Sequence, residues 1–285
     1  MMPFYNIGIR AYRLAIGLAS PFKKKAQFWV QGRKNWEQKL SQAIDSDSNW
    51  IWFHCSSLGE FEQGRPLIEA IKAKYHTYKI LLTFFSPSGY EIRKNYAVAD
   101  HVAYLPLDTR SNAKAFLEIV KPKLVFFVKY DLWLNFIAET HHRNIPMVLI
   151  SVLLRADSKF LKSAFKKLYQ EAFKSFSWIF TQDKVSKNLL TSFAQCQTIS
   201  IAGDTRFDRV AELPAKFELI PAIEKFIGNR RCIVAGSPWP KDEAILLPTI
   251  SNLRAENLCW IIAPHELSLI HISEPTRPLY ISYAV

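Results

Sequence analysis

Beyond Trp50 the chain falls into short blocks that are apolar at nearly every position: Ile51 to Cys55, Lys79 to Phe84, Val102 to Leu105, Leu124 to Val128, Met147 to Val152, Trp178 to Thr181 and Ile199 to Ala202. A strand with one wet face alternates. Blocks without alternation predict strands covered on both faces of a parallel sheet, with helices filling the intervals. The rhythm predicts a doubly wound α/β domain over residues 49–208. After Arg155, Leu161, Phe165, Leu168, Ala172 and Phe176 share one side of a helix, while Lys159, Lys162, Lys166 and Lys174 face elsewhere.

From Arg209 to Asn229 the pattern turns irregular, with Pro214 and Pro221 bracketing Phe217 and Leu219, and residues 209–228 read as a linker. A strand at Cys232 to Ala235, a helix from Lys241 to about Leu253 and a strand at Cys259 to Ala263 then open a second βαβ pattern over 229–267. Ser268 to Val285, with Pro275 and Pro278, does not continue it. That stretch reads as a non-native tail, and the second domain as incomplete, stopping near Leu267.

Residues 1–48 have a different character. From Phe4 to Phe22 the chain is mostly apolar, yet Asn6, Arg10, Arg13, Gly17 and Ser20 fall along one helical stripe. Central arginines suit an interfacial helix better than a spanning one. The expectation is a helix lying on a membrane, with a short tilted span as the runner-up and an ordinary helix packed on the domain as the alternative. Lys23, Lys24 and Lys25, with Arg33 and Lys34 behind, suit anionic headgroups on a cytoplasmic face. Arg10 and Arg13 interrupt the apolar segment and argue against a secretory signal.

Composition adds two constraints. Hydrophobic residues at 49% and charged residues at 22% leave no room for a long disordered tract. A formal charge of +12 usually means an anionic partner, a nucleic acid, a lipid surface or a phosphorylated substrate, the alternative being a generally basic surface with no specific role. No nucleic-acid motif accompanies that charge, so nucleic acid is not the expected partner. Cys55, Cys196, Cys232 and Cys259 lie far apart without a C-x-x-C pair, which suggests neither a zinc site nor a redox pair.

Candidate chemistry gathers at His54-Cys55-Ser56-Ser57-Leu58-Gly59-Glu60, where a strand ends in small residues and yields to a helix carrying Leu67, Ile68 and Ile71. In an open α/β sheet such a loop lines the ligand crevice. Ser56, Gly59 and Glu60 would face it, and a carboxylate there could take a proton from a hydroxyl. The competing reading makes Glu60 a first-turn acid favoured by the helix dipole.

These residues, with Ser86-Pro87-Ser88-Gly89-Tyr90-Glu91, Tyr104-Leu105-Pro106-Leu107-Asp108, Tyr130-Asp131-Leu132-Trp133 and Gly203-Asp204-Thr205-Arg206-Phe207-Asp208, resemble the Kdo (3-deoxy-D-manno-octulosonic acid) transferase family in order and spacing. Gln31-Gly32-Arg33-Lys34, Ala235-Gly236-Ser237 and Ala263-Pro264-His265 extend the likeness over roughly residues 4 to 267. The resemblance implies a GT-B-like architecture of two Rossmann-like domains, the first binding lipid IVA and the second mainly the donor CMP-Kdo, without a metal or cofactor. It implies work at the cytoplasmic face of the inner membrane, in lipopolysaccharide core synthesis.

It also implies roles. Glu60 would be the general base of an inverting transfer. Lys129, Asp131 and Arg206 stand at positions thought to stabilise the transition state. Many members carry glutamates where this chain has Lys129 and Asp131, and a lysine where it has Arg206. Arg206 keeps the charge and can grip a phosphate with two hydrogen bonds, whereas Lys129 reverses the sign. Ser56, Ser57, Gly59, Ser88, Gly89, Gly236, Ser237, Pro264 and His265 complete the expected substrate-binding set. Two other readings stay open: a membrane-binding acceptor fragment impaired in transfer, and another GT-B enzyme such as lipid A disaccharide synthase.

Overall fold

A computed structural model gives the fold and describes residues 2–129, 131–158, 165–196, 198–212, 219–252 and 257–264. The chain divides into two compact units, Met1–Pro214 and Ala215–Val285. The first is built on β1 (Asn49–Cys55), β2 (Tyr78–Phe84), β3 (His101–Tyr104), β4 (Leu124–Val128), β5 (Met147–Val152), β6 (Trp178–Thr181) and β7 (Ile199–Ile201). Their order is β3-β2-β1-β4-β5-β6-β7, parallel throughout. This is the doubly wound sheet that the apolar blocks predict.

The blocks are uniformly apolar because both faces are covered. Along β1, Trp50 and Trp52 enter one core while Ile51, Phe53 and Cys55 enter the other. The first core is closed by α3 (Trp36–Ala43), α6 (Arg110–Val120), α7 (Leu134–His142), α8 (Lys166–Lys174) and α9 (Lys184–Ala194). The second is closed by α4 (Leu58–Lys74) and α5 (Pro87–Arg93). Trp52 lies 4.7 Å from Phe116 and 5.5 Å from Phe127, ring centre to ring centre, so truncating it to alanine should cost about 3–5 kcal/mol. Leu168, Ala172 and Phe176 pack on the first core as their spacing implies, while Lys159, Leu161 and Lys162 lie outside the described residues.

Two N-terminal helices, α1 (Met2–Ala19) and α2 (Lys24–Gly32), rest against the segments leaving β2, β3 and β4. The clasp is polar as well as apolar. Arg33 is half-buried and donates to the carbonyls of Phe85 at 2.7 Å and Leu105 at 2.8 Å, with its guanidinium 4.1 Å from the Trp29 ring centre. Tyr5 donates its hydroxyl to Asp108 at 2.5 Å, and Asn135 donates to Asn6 at 2.9 Å. Packing on the domain, the alternative for this helix, is therefore real. The packed stripe is Tyr5, Ile9 and Ile16 with Asn6 beside it, and Arg10 and Arg13 stay exposed, so the polar set does not act as one face. Phe4, Ile7, Leu14, Leu18 and Phe22 form an outward apolar stripe, with Leu18 77% and Phe22 87% exposed. Among the described residues no helix is long and apolar enough to cross a membrane.

The second unit holds α11 (Pro221–Ile227), β8 (Arg231–Gly236), α12 (Pro240–Asn252) and β9 (Leu258–Ala263). α10 (Thr205–Glu212) closes the described part of the first. Where the sequence reads as irregular linker, the structure places the end of α10 and all of α11, opened by Pro221 at a first-turn position where the missing N–H breaks no helical bond. β8 and β9 pair in parallel, so 231–263 is a right-order βαβ unit. His265 and residues 266–285, including the expected stop near Leu267 and the tail, lie outside the described residues.

Candidate active site

The chain leaves β1 toward β2 and leaves β4 toward β5, although β1 and β4 are neighbours. At such a switch the two exit loops diverge and open a crevice at the strands' C-terminal ends. The loop after β1 holds Ser56 and Ser57 and opens into the first turn of α4 with Gly59 and Glu60, and the loop after β4 holds Lys129 and Asp131. Topology alone thus brings five of the expected residues and the proposed base to one place.

Ser57 is the extended N-cap of α4, and Glu60 is its third helical residue. The Ser57 amide and hydroxyl both donate to Glu60 Oε2, at 2.6 and 2.5 Å. The first-turn role anticipated for Glu60 is therefore filled by one oxygen, and Oε1 makes no hydrogen bond among the described residues. Burial raises the Glu60 pKa above the ordinary carboxylate value; the Ser57 hydroxyl opposes that, the Asp131 charge adds to it, and Lys129 draws it back. A carboxylate held through one oxygen, with the other unbonded among the described residues, and easier to protonate than usual is equipped to receive a proton.

Lys129 has φ of 63°, the left-handed region, and its amide donates to Ile150 at 2.8 Å. A lysine there costs roughly 1–2 kcal/mol, a strain the surrounding packing must carry. Tyr130 lies outside the described residues.

The loop after β2 joins the same edge, since the Ser86 amide donates to the Ser56 carbonyl at 2.7 Å. Ser86 caps α5 by accepting from the Ser88 amide at 3.2 Å, and Ser88 is exposed. Gly89 is buried, and a Cβ there would overlap the Phe84 ring, so close packing of α5 on β2 accounts for this glycine. Arg206 arrives from α10, which docks on α4 through Thr205 donating to the Gln63 carbonyl at 2.6 Å. Its Nη2 meets Asp204 at 2.6 Å, and the contact holds the Asp204 carboxyl below its usual range. Gln63 is fully buried, one turn after Glu60, and its Oε1 has no hydrogen-bond partner among the described residues.

In the second unit Gly236 pairs with Ala263 and the Ser237 amide donates to the Ala263 carbonyl at 2.6 Å. Gly236, Ser237 and Pro264 thus share the C-terminal edge of the β8–β9 pair. Among the described residues no group of three or more His, Cys, Asp and Glu side chains is arranged to hold a metal ion.

Two polar centres stood inside the motifs read from the sequence but were given no role there. His54 contacts Thr83, Ser56 and Trp133 from inside the sheet. Asp108 is sealed beneath α1, where it accepts from Tyr5 and from the amides of Asn135 and Phe136 that open α7. The signal available for both was a polar residue inside or just after an apolar block.

Comparison with known proteins bears on this geometry. A family model described as 3-deoxy-D-manno-octulosonic-acid transferase (kdotransferase) matches residues 34–209. The chain is 27% identical over 267 residues to a bifunctional glycosyltransferase/methyltransferase of Fusobacterium nucleatum, covering 90% of this chain and 40% of that protein. It is 28% identical over 220 residues to the 3-deoxy-D-manno-octulosonic acid transferase of Haemophilus influenzae, covering 75% of this chain and 51% of that one. The chain therefore spans about half the length of the curated relatives it matches. Among solved structures, UDP-GlcNAc 2-epimerase from Neisseria meningitidis, bound to UDP-GlcNAc, superimposes with a TM-score of 0.56 at 17% identity, over 78% of this chain and 67% of that one. That likeness shows the fold: an α/β, GT-B-like architecture of Rossmann-like units.

Proposed function

We propose a function from one premise: the chain belongs to the 3-deoxy-D-manno-octulosonic-acid transferase family. Its reaction is the transfer of Kdo from CMP-Kdo to lipid IVA with inversion, and Glu60 is the general base. The acceptor hydroxyl attacks the anomeric carbon of Kdo, its proton passes to Glu60 Oε1, and the bond from that carbon to the CMP phosphate oxygen breaks as CMP leaves. Arg206, turning from Asp204, meets the charge gathering on the leaving phosphate. Asp131 keeps Glu60 basic, and Lys129 supplies a cation in the same loop.

The observation that carries this reading is the half-occupied carboxylate of Glu60 at the switch point, fixed through Oε2 and open through Oε1. Residues 49–208 then serve the acceptor. Residues 229–267 open the donor part, with Gly236, Ser237, Pro264 and His265 toward the nucleotide. The outward stripe of α1, with Lys23, Lys24 and Lys25 following it, supports seating on an anionic membrane surface, the cytoplasmic face of the inner membrane, where a lipid acceptor is found.

The test incubates the full chain with CMP-Kdo and lipid IVA in anionic vesicles and follows the lipid by mass spectrometry. Lipid IVA should gain Kdo, and Glu60→Gln should lower the rate about a thousandfold. Lipid binding without transfer would make this chain an acceptor-binding protein. Transfer from another nucleotide sugar in place of CMP-Kdo would make it a different GT-B enzyme.

A further inference from the structure

His54 stands inside β1, fully buried, where an isolated imidazole would be costly unless each ring nitrogen found a partner. Both do. The Trp133 indole N–H lies 2.7 Å from Nε2, and indole nitrogen can only donate, so Nε2 carries a lone pair. The ring proton must then sit on Nδ1, which lies 2.9 Å from Thr83 Oγ1. Thr83 Oγ1 also receives the Trp52 indole N–H at 2.7 Å and lies 3.3 Å from the Phe53 carbonyl, to which it gives its own hydrogen. Every donor in this chain has one acceptor, and the protonation pattern has one solution. Ser56 Oγ, 3.1 Å from Nε2, can meet a bare nitrogen only by donating its hydroxyl, and so shares that lone pair with the Trp133 indole.

We propose that His54 is a positioning residue, a neutral imidazole held in its Nδ1–H tautomer that ties β2, β1 and the loop after β4 into one strut and thereby sets Lys129 and Asp131 against Glu60. Thr83 belongs to β2, Ser56 leads toward Glu60, and Trp133 follows Asp131 by two residues. The strut crosses the point where the exit loops diverge and no backbone ladder joins them. Its catalytic consequence rests on the reading of Glu60 as the base; its geometry does not.

The test has readouts of both kinds on the full chain. Nitrogen-15 NMR of the His54 ring should show a protonated Nδ1 and a bare Nε2, unchanged from about pH 8 to about pH 5. Trp133→Phe removes the donor with little loss of volume and should let the β4 loop drift, so the Glu60 carboxyl titrates closer to an ordinary glutamate as the Asp131 charge recedes. The same variant should lower kcat ten- to a hundredfold, about what a small misplacement of a catalytic group costs, with the acceptor KM within about twofold. His54→Asn, which keeps the Thr83 contact and drops the Trp133 contact, should match it. If His54→Asn does not fold, the ring spectrum and Trp133→Phe still decide. An Nε2–H tautomer in the wild type, or a Trp133→Phe protein with unaltered Glu60 titration, overturns the strut. A wild type that transfers no Kdo but gives the expected spectrum and titration overturns the function and leaves the strut standing.

Discussion

Glu60 in the first turn of α4 and Asp108 in the loop between β3 and α6 each set a carboxylate against the first turn of a helix, α4 itself and α7, and in both burial pushes the pKa up. They differ in what remains open. Asp108 accepts from Tyr5, from the Asn135 amide at 3.1 Å and from the Phe136 amide at 3.0 Å, so both oxygens are engaged beneath α1 and its pKa rises to about 6. Glu60 is engaged through Oε2 alone. A raised pKa therefore does not separate a structural acid from a candidate base, and an oxygen without a hydrogen bond among the described residues does.

Exchanging the carboxylates for amides should split the two roles. Glu60→Gln loses about a thousandfold in transfer and keeps its melting temperature, because glutamine can still accept from Ser57. Asp108→Asn should cost about 2–3 kcal/mol in urea unfolding, since an amide nitrogen would face backbone donors, while the folded fraction keeps its rate. Tyr5→Phe is gentler. Loss of one hydrogen bond to a buried carboxylate should cost about 1–2 kcal/mol and make α1 more accessible to hydrogen exchange, with Glu60 untouched.

A smaller effect appears in the pH dependence of stability. The folded chain holds the Asp108 proton up to about pH 6, whereas the unfolded chain releases it near the ordinary value, so this group makes stability fall as pH rises between about 4 and 6. His54 acts oppositely. Burial, then the nearby Arg33 charge, push its pKa down to about 3, so the unfolded chain takes a proton the folded one refuses and stability falls as pH drops below about 6.5. The two slopes offset one another in the wild type. Asp108→Asn should uncover the histidine, with stability rising by up to about 1.4 kcal/mol per pH unit from pH 4 to 6. An equal slope in both proteins would mean that Asp108 is ionised like an ordinary aspartate.

The sheet was legible in the sequence because strands covered on both faces leave runs such as Leu124 to Val128 that no exposed helix produces. The loop after β1 was legible too, and the reading of Glu60 as a first-turn acid anticipated its place in α4, while its bonds to Ser57 came from the structure. α11 was not, since seven residues opened by Pro221 are too short for a periodic face. The roles of Asp108 and His54 depend on partners far along the chain: Tyr5 lies 103 residues from Asp108, and Trp133 lies 79 from His54. Only the fold makes such pairs neighbours. Gly89, expected in the substrate-binding set, has in addition a packing reason to be glycine, since the Phe84 ring leaves no room for a Cβ.

The most direct test of Glu60 as the base is the pH dependence of single-turnover Kdo transfer in the wild type, Asp131→Asn and Glu60→Gln. The wild-type rate should fall on the acid side with an apparent pKa above the ordinary glutamate value of 4.5. Asp131→Asn should move that limb to lower pH, because the neighbouring negative charge is what it removes, and Glu60→Gln should abolish the limb along with most of the rate. A Glu60→Gln enzyme that keeps the wild-type acid limb would place the base elsewhere.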